Sequence, residues 1–293
     1  MNSIDVVVVT YNRKKLLIEC LNALVKQRKN INVIYVINNN SSDGTTDYLN
    51  DLKKDTLFSI HNLDVNVGGA KGFEIGVNYA SHGQGKYVWI MDDDTIPTES
   101  AAYNLLKSAK HLNDEFGFLC SNVRWTNGES TNIPAPSSDW PTLSNHGLVK
   151  VTQATFVSIL VTKNALHRVG LPIGDMEIWG DDTEYTTRLS NYKPSYFVSN
   201  SLVIHKTTSN LSNDKVYNIS KDRLWRIETM YRNLFFINRK YKSKKRTLKF
   251  VIRSIIDSVS AFKASSNRFN RFNRVIKGLI RGIMFNPKIK FPD

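Results

Sequence analysis

Cysteine is nearly absent: Cys20 and Cys120 are the only two in 293 residues. That is too few for a disulfide framework or a cysteine metal site, so both are expected to be reduced, structural thiols. Long hydrophobic runs are missing as well. The stretch Val6 to Val9 is far too short for a membrane span or a signal sequence, and Met1 to Asp5 brings no positive charge ahead of it, which gives the expectation of a cytoplasmic protein. Two nucleotide loops are also absent. No G-x-x-x-x-G-K-[ST] occurs, leaving a P-loop NTPase unsupported, and Gly68, Gly69 and Gly72 do not follow the G-x-G-x-x-G spacing of a dinucleotide site. Acid is scarce in one region only. Residues 221–293 hold 20 Lys or Arg against 4 Asp or Glu, a net of +16, whereas the remainder holds 20 against 22, a net of −2. A near-neutral body with a basic appendage calls for an anionic partner of the appendage, either a membrane or a nucleic acid.

What is present reads as alternating strand and helix. Ile4 to Thr10 is a β-branched run suited to a strand buried on both faces, and Lys14 to Lys26 places Leu17, Cys20, Leu21 and Leu24 at helical spacing. Strands are expected at Asn32 to Ile37, Thr56 to Asn62, Tyr87 to Met91 and Val151 to Thr162. Helices are expected after Gly72, through Ala80, and over Thr183 to Leu189. Residues 121–147, rich in Ser, Asn, Pro and Trp, read as an irregular stretch over the site. The pattern is that of an α/β sheet with crossover connections, in which ligands sit beyond the strand C-terminal ends. The polar clusters Asn38 to Thr45, Asn66 to Gly72 and Asp92 to Asp94 all lie at such ends.

The chemistry concentrates in the acids. Asp92, Asp93 and Asp94 follow an apolar strand, and alternation along it lets Asp92 and Asp94 converge; their hard oxygens suit Mg²⁺ or Mn²⁺ with substrate phosphates. Asp181 and Asp182 sit at a loop-to-helix transition, where one acid is explained by helix capping and the second is free to remove a proton from an acceptor hydroxyl. Trp179 beside them offers a face for an acceptor sugar. His205 ends another apolar strand, a place from which it joins the cation site. The glycines at 68, 69 and 72 let backbone approach a ligand at a helix N-terminus.

Five segments taken together resemble the family 2 glycosyltransferases, which share the GT-A fold: Val7 to Arg13, Asn38 to Thr45, Asn66 to Ala70, the Asp92 to Asp94 triplet and the Asp181-Asp182 pair. They span about residues 4–206. The resemblance implies a metal-dependent, inverting hexosyltransferase that uses a nucleotide-diphospho-sugar. In that reading Thr10, Tyr11, Arg13 and Asn40 contact the nucleotide, Asn66, Gly69 and Asp93 lie by the donor, and Asp92, Asp94 and His205 hold Mn²⁺ or Mg²⁺. Asp182 is the base, or Asp181 if the register differs by one. Many members carry aspartate where Asn40 stands, which puts the base contact in question. Trp179-Gly180-Asp181-Asp182 followed by His205 is most similar to bacterial galactofuranosyltransferases, with UDP-galactofuranose as donor; dTDP-rhamnose transfer and a non-catalytic sugar-nucleotide-binding protein are the alternatives. A growing, lipid-linked bacterial surface glycan is the implied acceptor.

The expected organisation is a GT-A catalytic domain over 1–220 and a basic, α-helical region over 221–293. Within the latter, Arg246 to Phe262 and Arg268 to Phe285 each carry one apolar stripe flanked by Lys and Arg, as in helices lying on an anionic membrane. Packing on the catalytic body, or on a second subunit, is the competing explanation. Nucleic acid is disfavoured, since the apolar residues form a continuous face rather than isolated stacking positions. The location expected is therefore peripheral, on the inner face of the cell membrane.

Overall fold

Every residue from Ile4 to Thr10 is buried, as a run without a polar face requires. In the computed structural model, which describes residues 4–207 and 215–293, this run is β1 (Ile4–Thr10). It is followed by α1 (Lys14–Val25), β2 (Ile31–Asn38), α2 (Thr45–Leu52), β3 (Phe58–Asn62), α3 (Gly69–Ser81) and β4 (Tyr87–Asp92). The second half comprises β5 (Thr95–Pro97), α4 (Ala101–His111), β6 (Leu119–Trp125), β7 (Ala135–Pro136), β8 (Leu148–Gln153), β9 (Ile159–Thr162), α5 (Lys163–Val169), α6 (Asp181–Tyr192) and β10 (Ser195–His205). The basic region forms α7 (Trp225–Tyr241), α8 (Lys244–Ser260) and α9 (Arg268–Met284).

One mixed sheet runs in the order β3-β2-β1-β4-β9-β6-β10-β8-β7, with β5 paired to β10. The strands β3, β2, β1 and β4 are mutually parallel. The chain moves outward from β1 to β3 and then returns to place β4 on the other side of β1. Strand order therefore reverses between β1 and β4, and a crevice opens past their carboxyl ends. Thr10 and Asp92 occupy those ends.

Alternation along β1 serves two cores. Val6 and Val8 meet Leu17, Leu21 and Leu24 of α1 on one face; Val7 and Val9 meet Phe73 and Val77 of α3 on the other. The approach of α3 is close. A Cβ added to Gly76 would lie 2.5 Å from Val7 Cγ1 and 2.9 Å from Ile37 Cγ1, so glycine sets the helix-to-sheet distance.

Several elements differ from the sequence reading. Val151 to Thr162 is not one strand: β8 pairs with β10 near the sheet's edge, whereas β9 lies between β4 and β6. The break between them is held from outside, where Ala154 N–H donates to Thr186 Oγ1 at 3.2 Å and Trp89 Nε1–H donates to Ser158 Oγ at 2.8 Å. Part of the stretch expected to be irregular is ordered as the end of β6. The helix expected from Thr183 begins two residues earlier, at Asp181. Cys20 and Cys120 are buried free thiols, in keeping with the expectation.

The three C-terminal helices do not share one environment. α7 packs onto the body through Phe236 and Ile237, which join Ala70, Ile173 and Met176. α9 buries Val275 and Leu279 against Ile227 and Tyr231 of α7. α8 buries only Ser254 and Ser258 and leaves its apolar stripe outside. The final residues return to the body, with Leu171 N–H donating to the Lys290 carbonyl at 2.7 Å. Among the described residues no helix is long and apolar enough to cross a membrane.

Candidate active site

The end of β4 and the turn after it present three carboxylates at the crevice. Asp93 turns back toward β1, accepting from Thr10 Oγ1–H at 2.7 Å and from Arg13 Nη1–H at 3.2 Å. Arg13 also donates to Asp94 Oδ2 at 2.7 Å, so one guanidinium ties the end of β1 to the acidic turn. Asp92 and Asp94 face His205, and one potential ligand atom from each lies within 4.8 Å of the others. The histidine is delivered by strand pairing. β5 starts at Thr95, directly after Asp94, and Thr95 sits opposite His205 in the antiparallel ladder with β10.

The electrostatics match a cation site. Burial and the neighbouring Asp94 push the Asp92 carboxyl up to about 7, and burial, against the pull of Arg13, pushes Asp93 up to about 6. Burial opposes charge on Asp94 too, but His205 and Arg13 hold it below the ordinary range. His205 is raised because its carboxylate partners outweigh its burial. Asp94 Oδ1 is 3.1 Å from His205 Nε2 yet is buried without an aligned hydrogen bond. A buried, orphaned carboxylate oxygen beside a second carboxylate and an imidazole is a donor set that fits Mn²⁺ or Mg²⁺. His205 Nδ1 lies 2.8 Å from Asn132 Oδ1, a contact that leaves Nε2 to face the acids when Nδ1 carries the proton.

The second acidic pair opens α6. Asp182 Oδ1 accepts from Thr183 N–H at 2.6 Å and from Thr183 Oγ1–H at 3.2 Å. Burial raises both carboxyls, Asp181 well above the usual range with Asp182 as the next cause. Glu184, also in that first turn, is taken by Arg188 at 2.9 Å and is structural. The loop entering α6 is contorted: Glu177 has φ 61°, Trp179 φ 60° and Gly180 φ 97°. Only Gly180 adopts such a backbone freely. The loop is held from below by α7, where the wholly buried Asn233 donates from Nδ2 to the carbonyls of Met176 and Trp179, each at 2.8 Å. Arg232 adds a bond from Nη1 to Glu177 Oε1 at 2.9 Å.

These parts surround one cavity of about 610 Å³. Asp92, Asp94 and His205 line it together with Asp181, Asp182 and Trp179, and Arg13 and Gly69 contribute to its wall. Thr10 and Asp93 stand one layer behind. Tyr11 is 45% exposed, and it, Asn40 and Asn66 are not among the residues lining this space. Asn40 has a left-handed φ of 59°, while its neighbour Asn39 is buried and fastens the Gly68 loop through Val67 N–H at 2.8 Å and the Gly68 carbonyl at 3.1 Å. Asn66 Oδ1 accepts from Gly68 N–H at 2.9 Å.

Asn132, Asn233, Arg223 and Arg226 carry no motif in the sequence, yet Asn132, Arg223 and Arg226 also line the cavity. Asn233 shares the buried face of α7 with the polar Thr229 and Arg232, so periodicity does not single it out.

A parallel half-sheet that delivers acids to its switch point, extended by mixed pairing to a strand that ends in a histidine, is the GT-A architecture. The chain belongs to glycosyl transferase family 2, whose family model matches residues 5–171. A curated relative, the poly-beta-1,6-N-acetyl-D-glucosamine synthase of Staphylococcus epidermidis, is 25% identical over 204 residues, covering 67% of this chain and 48% of the relative. The enzyme of that name from Staphylococcus aureus is 27% identical over 130 residues, covering 44% and 31%. The chain thus spans half or less of the length of these relatives. Among solved structures, S. aureus TarS 1–349 in complex with UDP superposes with a TM-score of 0.59 at 14% identity, covering 99% of this chain and 96% of that one. GalNAc-T7 with UDP, GalNAc and Mn²⁺ superposes with a TM-score of 0.66 at 13% identity, covering 94% and 55%. At such identities the likeness is one of fold. None of these names carries galactofuranose or rhamnose, so that part of the expectation draws no support from them.

Proposed function

We propose that this chain is an inverting hexosyltransferase that moves a sugar from a UDP-sugar to a hydroxyl of a growing glycan, with Mn²⁺ or Mg²⁺ held by Asp92, Asp94 and His205. The observation that carries the reading is one cavity lined by both a cation-ready cluster and a separate acidic pair. The cation supplies Lewis-acid neutralisation of charge on the leaving diphosphate. Asp182, held by Thr183, takes the proton of the acceptor hydroxyl. The acceptor oxygen then forms its bond to the anomeric carbon as the bond from that carbon to the diphosphate breaks; the nucleoside diphosphate leaves with the electron pair. A single displacement inverts the centre. Arg13 keeps Asp93 and Asp94 in place during this step, and Trp179 offers its indole face to the acceptor.

Two donors compete for the sugar assignment. N-acetylglucosamine is supported by the names of the sequence relatives and by TarS having been solved with UDP-GlcNAc. Galactofuranose is supported by the segment Trp179 to Tyr185 with His205. Turnover and hydrolysis of UDP-N-acetylglucosamine, UDP-galactofuranose, UDP-galactopyranose and dTDP-rhamnose, each with Mn²⁺, Mg²⁺ or EDTA, decides between them. Silence with every donor in the presence of metal, while UDP binds, would favour a non-catalytic sugar-nucleotide-binding protein.

The acceptor is proposed to be lipid-linked, with the protein peripheral at the inner face of the cell membrane. α8 supports this best. Leu248, Ile252, Ile255, Ile256 and Val259 are each 47–62% exposed along one stripe, with exposed Lys245, Lys249 and Arg253 beside it, the pattern of a helix that sinks its apolar face among anionic headgroups. The stripe of α9, by contrast, is partly spent on α7.

A further inference from the structure

We propose that Arg226, at the start of α7, grips the terminal phosphate of the nucleoside diphosphate and so shares the charge of the leaving group with the cation. The inference rests on the nucleotide-sugar reading above but concerns a residue outside the segments that suggested it. Arg226 lines the same cavity as Asp92, Asp94 and His205. Its Nε is buried and, among the described residues, has no hydrogen-bond partner. The guanidinium lies over two indoles, 5.5 Å from the ring centre of Trp179 and 5.3 Å from that of Trp225. Cation–π contacts of this kind hold the group at the cavity wall and use none of its N–H donors, which stay available to an anion.

An inward-facing cation of this kind normally has a counter-charge, since burial without one is costly. Here the surroundings make matters worse: burial first, then Arg223 and Arg13, disfavour the charged form, and Asp222 offsets this only in part. Asp92, Asp94, Asp181 and Asp182 line the same cavity, but none forms an ion pair with Arg226 among the described residues; Asp94 is engaged by Arg13 and Asp182 by Thr183. Three arginines, Arg13, Arg223 and Arg226, border the cavity; Arg13 pairs with Asp93 and Asp94 and Arg223 lies 3.9 Å from Asp222, whereas Arg226 makes no ion pair among the described residues. A phosphate presents oxygens at the spacing of the guanidinium fork. Because α7 carries Arg226, Arg232 and Asn233, one helix reaches the leaving group and also props the loop before Asp181.

A phosphate on the acceptor would offer the same chemistry, so the test omits acceptor. The 293-residue chain is titrated calorimetrically with UDP and with UMP, which differ only in the terminal phosphate, in Mn²⁺ and again in EDTA. In Arg226→Gln, UDP affinity should fall at least about tenfold, the worth of one charge-assisted bond, with UMP affinity unchanged and the loss persisting in EDTA. Arg226→Lys, which keeps the charge without the fork, should lose less; if the glutamine variant fails to fold, a reduced UDP-to-UMP affinity ratio in the lysine variant carries the test. Wild-type UDP affinity in both variants, or equal losses for UDP and UMP, overturns the proposal and leaves the nucleotide-sugar reading intact. Wild-type protein that binds neither nucleotide, with or without metal, overturns both.

Discussion

Replacing Asn233 by alanine removes the side chain that holds the loop in front of Asp181 and Asp182. Asn233 donates to two carbonyls at 2.8 Å and accepts from Arg232 Nε at 3.0 Å, in a place with no solvent access. Truncation strands three polar groups, and at about 1 kcal/mol each, the low end for a buried group left unpaired, the loss is about 3 kcal/mol. For a chain of this size that is a fall in Tm of roughly 5 °C. The Cβ survives, so the surface against which Gly180 rests, 3.1 Å from a Cβ built there, is kept. The loop is left to pay for its own geometry. Left-handed backbone at Glu177 and Trp179 costs about 1 kcal/mol per residue, and once the Asn233 bonds are gone it should relax and shift Asp182. A displacement of about 1 Å costs on the order of 10²-fold in rate. The assay is transfer turnover measured well below the variant's melting point, beside calorimetric UDP binding. The account expects kcat to drop on that scale while UDP affinity stays near wild type. If turnover per folded molecule is unchanged, α7 is packing only and the positioning argument fails.

Gly76→Ala forces a methyl group against Val7 and Ile37, and overpacking there should cost about 1–3 kcal/mol, read as a lower denaturation midpoint; a midpoint equal to wild type would mean that α3 shifts freely. Burial raises the Asp182 carboxyl, and a base acts only when ionised, so kcat should climb with pH through a value above the ordinary carboxylate range of about 4. A profile flat down to that range would remove Asp182 from the proton transfer. Ile252→Glu with Ile256→Glu should abolish sedimentation with phosphatidylglycerol-rich vesicles and leave donor turnover in free solution unchanged; vesicle binding at wild-type level would dismiss α8 as the membrane contact.

The half of the fold that builds the crevice was legible because local chemistry and tertiary role agree there. Ile4 to Thr10 has no polar face and is buried on both, and the acids of the Asp92 turn stand directly after an apolar strand that the sheet places beside β1. Legibility ended where partners distant in sequence decide. Ala154 to Ser158 is as apolar as the strands it joins, and only bonds from Trp89 and Thr186 take it out of the sheet. Asn132 sits in a stretch without periodicity and gains meaning from His205, 73 residues away. The stripes of α8 and α9 look alike in sequence, yet α7 covers one and not the other. Arg226 was hidden among the charges of the basic region, since its neighbours Trp225 and Trp179 meet only through the packing of α7 on the body.

The central claim is that one cavity holds both the donor and the group that deprotonates the acceptor. Asp182→Asn tests it most directly, with UDP binding by calorimetry and sugar transfer or donor hydrolysis measured on the same preparation with Mn²⁺. UDP affinity should stay near wild type while turnover falls about 10²- to 10⁴-fold. Turnover preserved with that carboxylate gone would contradict it.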